Sequence, residues 1–275
     1  MIKNILVTYN ESEASKSALR AAVQSQQKYD AHLTGLLVHY GDRDRFGAEN
    51  WLPENVRGVM TTGIREKEAK VEQEFRDATA VVPEDKQHWI AMSGSPDETV
   101  AMHAVMYDMT VVGQHSINTN AAIDLHPERI ARKSGRPVLM IPNELDEDAI
   151  NRRAVLVFDA RAASTRVLHD AMQILETKNH VDIVSFGDEV VRPDNSISVV
   201  EFLRRHGISA DRIRLPRRPR HIGEDIIAYC KKVNAGTLFM DIYGRGSMRD
   251  EILFGGATRY VLEHSKIPVL VSRQG

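Results

Sequence analysis

The sequence lacks the features that mark secreted and membrane proteins. It contains a single cysteine, Cys230, in 275 residues, which excludes an internal disulfide framework and a thiolate zinc site. No apolar run reaches the roughly 18 residues that a membrane helix needs. The start, MIKNILVTYN, has no basic region followed by an apolar stretch and a cleavage site. We therefore expect a cytoplasmic protein in a reducing compartment, without membrane contact.

Signatures of common hydrolases and metal sites are missing as well. No serine lies in a G-x-S-x-G elbow, and no lysine follows a G-x4-G run. The 11 histidines are scattered, and none forms the spaced pair of a zinc protease helix. Cys230 lies near Ile226, Ile227 and Val233, which favours a core residue over a nucleophile. We predict no catalytic residue and no metal site.

The length and the charge distribution indicate two different halves. A chain of 275 residues fits two domains, and 42% apolar with 27% charged residues is typical of globular proteins. Residues 1–151 carry 16 Lys and Arg against 23 Asp and Glu, a net charge of -7, whereas residues 152–275 carry 20 against 15, a net charge of +5. We expect an anion to prefer the second half, and the halves to attract each other.

The chain repeats itself. Residues 3–22, KNILVTYNESEASKSALRAA, align without gaps on residues 152–171, RRAVLVFDARAASTRVLHDA, at an offset of 149. Both segments read as strand, polar turn and helix. The ends also match, since SGRPVLMIP at 134–142 resembles SKIPVLVSR at 265–273, each with a proline opening a strand.

Strands alternate with helices in both copies. The short apolar runs 108–113 and 236–241 are typical of interior parallel strands. The alternation predicts right-handed βαβ units and parallel sheets covered by helices on both faces. The acidic segment 143–151 is the predicted linker, which gives domains at 1–143 and 152–275. We expect two separate sheets rather than one continuous sheet.

Two longer segments can also be assigned. Residues 63–80 and 221–234 have helical spacing of apolar residues. Segment 41–62 is a predicted excursion without regular structure, because glycines and a proline interrupt it: Gly41, Gly47, Pro53 and Gly58.

The sequence resembles the universal stress protein superfamily, in a tandem form. The resemblance rests on ILVTYNESEAS and VVG in the first copy, and on VLVFDARAAS and YGRGSMRDEILFGGATRYVLEHSKIPVLV in the second. It implies an α/β fold of two tandem Rossmann-like (adenine nucleotide alpha-hydrolase-like) domains, each a five-stranded parallel sheet flanked by helices. It also implies a non-catalytic stress-response or signalling factor, whose domains form an intramolecular pseudo-dimer and which is a candidate homodimer.

The resemblance also implies a nucleotide site in the second copy. One subgroup of the family binds ATP through an acidic residue after the first strand and a G-x2-G-x9-G-(S/T) pattern. Glycines allow close approach of phosphate, and a helix N-terminus offers free N–H groups. The matching positions imply binding of ATP, with Mg²⁺, by Asp159, Ala160, Gly244, Gly255, Gly256 and Thr258.

Both copies depart from that pattern. Asp241 replaces the first glycine, where a carboxylate would repel phosphate unless it is turned away or bridged by a cation. Ten residues rather than nine separate Gly244 from Gly255. In the first copy Asn10 and Glu11 replace the acid and the glycine, so its site is degenerate.

Other interpretations stay open. The glycines can simply shape a loop, expected over 241–258, and Asp159 can cap the following helix. Segment 204–221 holds seven arginines but no aromatic residue that could stack on bases, which favours a solvated basic edge facing the first half over specific nucleic-acid binding. The alternative functions are slow ATP hydrolysis by Asp159, Asp241 and Arg249, and an interaction module that binds another small molecule.

Overall fold

The described residues form strands and helices that alternate along the chain. The computed structural model describes residues 1–39, 54–114, 125–146, 152–187, 197–216, 218, 221–242 and 248–272, with backbone alone for 54–61 and 248–255. The strands are β1 (Asn4–Thr8), β2 (His32–His39), β3 (Gln87–Ser93), β4 (Met109–Gly113), β5 (Val138–Ile141), β6 (Ala154–Val157), β7 (Val181–Phe186), β8 (Ala210–Leu215), β9 (Thr237–Asp241) and β10 (Val269–Ser272). The α-helices are α1 (Glu13–Tyr29), α2 (Glu54–Ala78), α3 (Pro96–Ala104), α4 (Pro127–Ser134), α5 (Ala162–Leu175), α6 (Val199–Arg205), α7 (Ile222–Lys232) and α8 (Met248–His264).

The two halves share one strand order. The first half runs β3-β2-β1-β4-β5 and the second β8-β7-β6-β9-β10, and every pair within a half is parallel. The register shows which residues are equivalent, because Val7 and its repeat partner Leu156 pair with Gly35 and Ile183, respectively. The α/β fold of two five-stranded parallel units, predicted from the repeat and the resemblance, is confirmed.

The two units are joined through their last strands. β5 pairs antiparallel with β10, with Leu139 opposite Leu270, and the result is a single ten-stranded sheet. The expectation of two separate sheets was therefore wrong. Each last strand lies at the edge of its own unit and is apolar on both faces, so the pairing satisfies its backbone N–H and C=O groups and buries its side chains.

Contacts on both faces reinforce this junction. One apolar cluster packs α1, α2, α5 and α6 on one face, and a second packs α3, α4, α7 and α8 on the other. Gln114, at the end of β4, is buried, and its Nε2 donates to the carbonyl oxygens of Leu262 at 2.9 Å and Ser265 at 3.0 Å. A side chain of the first half thus caps the last turn of α8 in the second.

Helix boundaries confirm part of the sequence reading and correct another part. Segments 63–80 and 221–234 correspond to α2 and α7. The predicted excursion ends earlier than expected, because α2 begins at Glu54 and includes Gly58. Glycine costs only about 1 kcal/mol inside a helix, and this helix buries Val71 and Phe75. Residues 40–53 lie outside the described residues.

The basic segment occupies the far edge of the sheet. Arg212 and Arg214 on β8 are exposed, as a solvated edge requires. However, β7, β6, β9 and β10 separate β8 from the first half, so the expectation that this edge faces the first half was wrong. The third strand of each unit is outermost in this strand order, which places β8 at one end of the sheet.

Candidate functional site

A tight turn follows β6. Asp159 Oδ1 accepts hydrogen bonds from the backbone N–H of Arg161 at 3.0 Å and from Ser164 Oγ at 2.7 Å. Between them, Ala160 has a φ of 64°, in the left-handed region that favours glycine. The Asp159 side chain is 28% exposed, and Oδ2 lies 3.6 Å from Arg161 Nε. One carboxylate oxygen thus organises the turn before α5, but Asp159 does not cap the helix, because the N-cap is Arg161 and makes no side-chain capping hydrogen bond.

The same turn follows β1. Asn10 Oδ1 accepts hydrogen bonds from the backbone N–H of Ser12 at 3.2 Å and from Ser12 Oγ at 2.7 Å, and Glu11 has a φ of 65°. The offset of 149 aligns Asn10 with Asp159 and Glu11 with Ala160. A neutral amide supports this turn as well as a carboxylate does, so the negative charge of Asp159 is not needed for the local structure.

Asp159 lies where the strand order reverses. The chain leaves β6 for β7 on one side and returns to β9 on the other, so a crevice opens between the carboxyl ends of β6 and β9. Asp241 is the last residue of β9 and is only 3% exposed. In the register of β9 with β10 it lies opposite Ser272, the last residue of β10. Ser272 Oγ in turn donates to Asp170 Oδ2 at 2.5 Å.

The corresponding crevice of the first half is narrower. The register makes Gly113 the equivalent of Asp241. A Cβ added to Gly113 would lie 2.5 Å from the backbone C and O atoms of Ala14 in α1. Since Asp241 carries a whole side chain at this place, β9 and α5 must stand further apart than β4 and α1. The greater separation in the second half accommodates the buried Asp241 side chain.

The predicted glycine motif is only partly a loop. Gly244 lies outside the described residues, as does the side chain of Arg249. Helix α8 begins at Met248, so Gly255 and Gly256 lie inside it and not in a loop that extends to 258. The loss of about 1 kcal/mol for each glycine is offset by burial of the same helix through Ala257 and Val261.

Thr258 and Gly256 differ in exposure. Thr258 is buried at 2% exposure. Gly256 is exposed, and a Cβ added there would meet no atom within 4 Å. The structure therefore brings Asp159, Ala160 and Asp241 to the switch point, whereas Thr258 packs in the helix interface.

A cavity that the sequence reasoning missed lies in the first half. It has a volume of about 590 Å³ and runs between α1 and α2, away from the switch point of the second half. Tyr9 contributes to it, and burial, followed by the charge of Glu74, raises the pKa of its hydroxyl. No sequence motif predicts such a cavity, because its size depends on how closely the side chains of two neighbouring helices pack.

Comparison with known proteins identifies the family. The model of the Universal stress protein family matches residues 1–142, just over half of the chain. The chain belongs to the universal stress protein family. No curated protein matches it significantly.

Several solved structures share the fold over both halves. One from Archaeoglobus fulgidus DSM 4304 is 19% identical, with 98% of this chain and 96% of that chain covered, at a TM-score of 0.72. A putative universal stress protein from Pseudomonas aeruginosa UCBPP-PA14 is 15% identical, with 98% of this chain and 93% of that chain covered, at a TM-score of 0.54. A functionally unknown protein from Pseudomonas aeruginosa PAO1 is 15% identical, with 98% of this chain and 92% of that chain covered, at a TM-score of 0.56. Both units of this chain thus have counterparts in single chains of similar length.

Two further properties concern the described part of the chain alone. Within it, no helix combines the length and apolar character needed to cross a membrane. Nor do three or more His, Cys, Asp or Glu side chains cluster, among the residues placed by the structure, in a way that could hold a metal ion.

Proposed function

We propose that this universal stress protein is a tandem, non-catalytic stress or signalling factor of the cytoplasm that binds an adenine nucleotide in its second half. The observation that carries the proposal is the position of Asp159 at the switch point between β6 and β9. Open α/β sheets bind ligands at this place, and a carboxylate there can accept hydrogen bonds from ribose hydroxyl groups. In this proposal Asp159 takes that role through its partly exposed carboxylate.

Charge and space favour the second half over the first. Residues 152–275 carry a net charge of +5, which favours an anion, whereas residues 1–151 carry -7. The first half has Asn10 in place of the acid, and Gly113 brings β4 close against α1. These features support a single nucleotide site, with the first half as its structural partner.

Mg²⁺ fits this proposal. Carboxylate oxygens are the ligands that Mg²⁺ prefers, and it usually binds one or two carboxylates together with substrate phosphates. Asp241, buried at the end of β9, is the residue that would hold the ion near ATP phosphates. Bound there, Mg²⁺ would offset the repulsion between this carboxylate and the phosphates. Gly244, which lies outside the described residues, stays a proposed phosphate-binding position.

Hydrolysis is the less favoured alternative. A catalytic base must accept a proton from the attacking water, within hydrogen-bond reach. Asp159 Oδ1 already accepts two hydrogen bonds within its own turn, from Arg161 and Ser164. This engagement supports a binding role for Asp159 rather than a role as a base.

Isothermal titration with ATP and MgCl₂ tests the proposal. The native chain is expected to bind one equivalent. Asp159→Asn copies the first-half turn, so it should leave the fold intact while weakening affinity at least tenfold. The matched variant Asn10→Asp should not create a second equivalent, because Gly113 keeps that crevice narrow.

Two results would count against nucleotide binding at this place. Absence of heat in a native chain that circular dichroism shows to be folded would leave the interaction-module alternative. Equal affinity of native and Asp159→Asn protein would move the site elsewhere. Phosphate release above background over hours, lost in Asp159→Asn, would replace the binding role by slow hydrolysis.

A further inference from the structure

The cavity of the first half has an apolar floor and a charged rim. Leu19 and Val23 of α1 line it with the exposed Ala78 at the end of α2. Lys16 and Arg20 contribute positive charge from α1, and Glu74 and Asp77 contribute negative charge from α2. Two cations face two anions, so the rim as a whole carries no net charge.

The second half has different side chains at the corresponding positions. The offset of 149 aligns Arg20 with His169. Helices α2 and α6 both precede the outermost strand of their unit, and both bury a large side chain completely, Phe75 and Leu203. The residues just before these two are Glu74 and Phe202, so Phe202 takes the place that Glu74 holds on the cavity wall.

Phe202 belongs to a cluster of three aromatic rings. Its ring meets His169 edge to face, with centroids 5.5 Å apart and an interplanar angle of 74°. His206 packs against the same ring with centroids 4.6 Å apart. Phe202 is half-buried, whereas His169 and His206 are exposed. At the counterpart positions the first half has Arg20 and Glu74, and the cavity opens beside them.

We propose that this cavity is a second ligand site, which binds a small planar aromatic molecule without net charge. The ring of the ligand takes the place that Phe202 takes in the second half, against Leu19 and Val23. Arg20, the counterpart of His169, contacts the face of that ring through a cation–π interaction. The balanced rim selects a neutral or zwitterionic ligand over an anion, and about 590 Å³ lies in the usual range for small-molecule pockets. This site is separate from the proposed nucleotide site.

A neutral aromatic fluorophore, N-phenyl-1-naphthylamine, is the probe for this site. The native chain is expected to enhance its emission saturably, with one equivalent bound. Ala78→Trp should fill the cavity and weaken binding at least tenfold. The matched control Ala228→Trp places the same ring on an exposed position of α7 in the second half and should leave the affinity unchanged.

A second variant tests the comparison between the halves. Phe202→Ala removes the ring at the corresponding position of the second half, so the stoichiometry should rise from one to two. Phe202→Leu should keep one equivalent. If Phe202→Ala does not fold, the pair Ala78→Trp and Ala228→Trp decides the matter alone.

Several results would overturn the proposal. These are no saturable binding to the native chain, unchanged binding to a folded Ala78→Trp, equal loss in both tryptophan variants, or a single equivalent bound to a folded Phe202→Ala. Titration of Ala78→Trp with ATP and MgCl₂ separates the two sites, because nucleotide affinity should be that of the native chain.

Discussion

The two halves share a backbone plan but use it differently. Both have the same strand order and the same turn with a left-handed residue after the first strand. In the first half, Gly35 leaves room for Phe75 and Trp89, whose rings lie 5.0 Å apart, whereas the equivalent residue of the second half is Ile183. The repeat pattern and the turns define the sheet, whereas charged residues and cavities differ between the halves. Function follows the second set.

The two halves also differ by an ion pair in the second half, formed by a buried carboxylate and a partly exposed arginine. Asp182 on β7 is fully buried, and its Oδ1 accepts a hydrogen bond from Arg153 Nη2 at 2.8 Å. Its Oδ2 lies 2.7 Å from Arg153 Nε and accepts a hydrogen bond from Tyr229 Oη at 3.0 Å. Asp182 raises the pKa of Arg153, chiefly through this hydrogen bonding. The first half has Thr34 in the equivalent place.

Removing the cation of this pair is expected to have the largest effect on stability. Arg153→Met leaves the Asp182 carboxylate buried without its counter-charge, which should lower the free energy of unfolding by about 3–5 kcal/mol in urea denaturation. Asn4 is the repeat equivalent of Arg153 and is exposed, so Asn4→Met should change stability by less than about 0.5 kcal/mol.

A double variant shows whether the loss of stability comes from the unpaired Asp182 carboxylate. Arg153→Met with Asp182→Leu should recover most of the stability, because an apolar pair can replace a buried ion pair. Equal loss in the single and double variants would mean that Arg153 acts through packing. The two halves would then differ less than the structure indicates.

A second difference concerns the end of the helix that follows the first strand of each unit. Continuing the offset of 149 aligns Tyr29 with Lys178. Burial, followed by the charge of Lys28, lowers the pKa of Lys178 from 10.5 to about 7, and its Nζ donates to Thr237 Oγ1 at 2.9 Å. Below pH 7 both the folded and the unfolded chain carry this proton, so the folded state bears the full cost of a buried cation.

Stability is therefore expected to rise with pH in a defined window. Between pH 7 and 10.5 the unfolded chain binds a proton that the folded chain has lost, so the free energy of unfolding increases. Lys178→Met should add about 2 kcal/mol at pH 7 and progressively less toward pH 10.5. Urea denaturation at a series of pH values measures this.

Tyr29→Phe is the first-half control for the same window. Burial raises the pKa of Tyr29 from 10.0 to about 12, so this residue affects the pH dependence of stability only above about pH 10. The slope of stability against pH between 7 and 10 should stay that of the native chain. An unchanged slope in Lys178→Met would show that this lysine is not the titrating group.

The smallest predicted effect concerns the left-handed residues of the two turns. Ala160→Gly should raise the free energy of unfolding by about 1 kcal/mol, because glycine adopts a φ of 64° without strain. Glu11→Gly should gain less, since Glu11 Oε1 accepts a hydrogen bond from Lys70 Nζ at 2.8 Å. Thermal denaturation compares the two. A larger gain in Glu11→Gly would show that this surface ion pair contributes little.

The sequence allowed the fold to be predicted because each local pattern has one main interpretation. The repeat at offset 149 located β1, α1, β6 and α5, together with the polar turn between each strand and its helix. The junction of β5 with β10 was not predictable, since VLMI and VLVS are as apolar as interior strands and encode no partner. The span of α8 was misjudged, because two glycines suggested a loop although apolar residues beyond them favoured a helix.

The antiparallel junction of β5 and β10 also determines which sheet edges can pair with strands of other chains. Because β5 and β10 pair with each other, neither strand has a free edge that could pair with another copy of the chain. The open edges that remain are β3 and β8 at opposite ends, and β8 presents exposed arginines, which discourage further strand addition. One polypeptide thereby acquires the pseudo-twofold arrangement of a dimer, while each half keeps a sequence of its own.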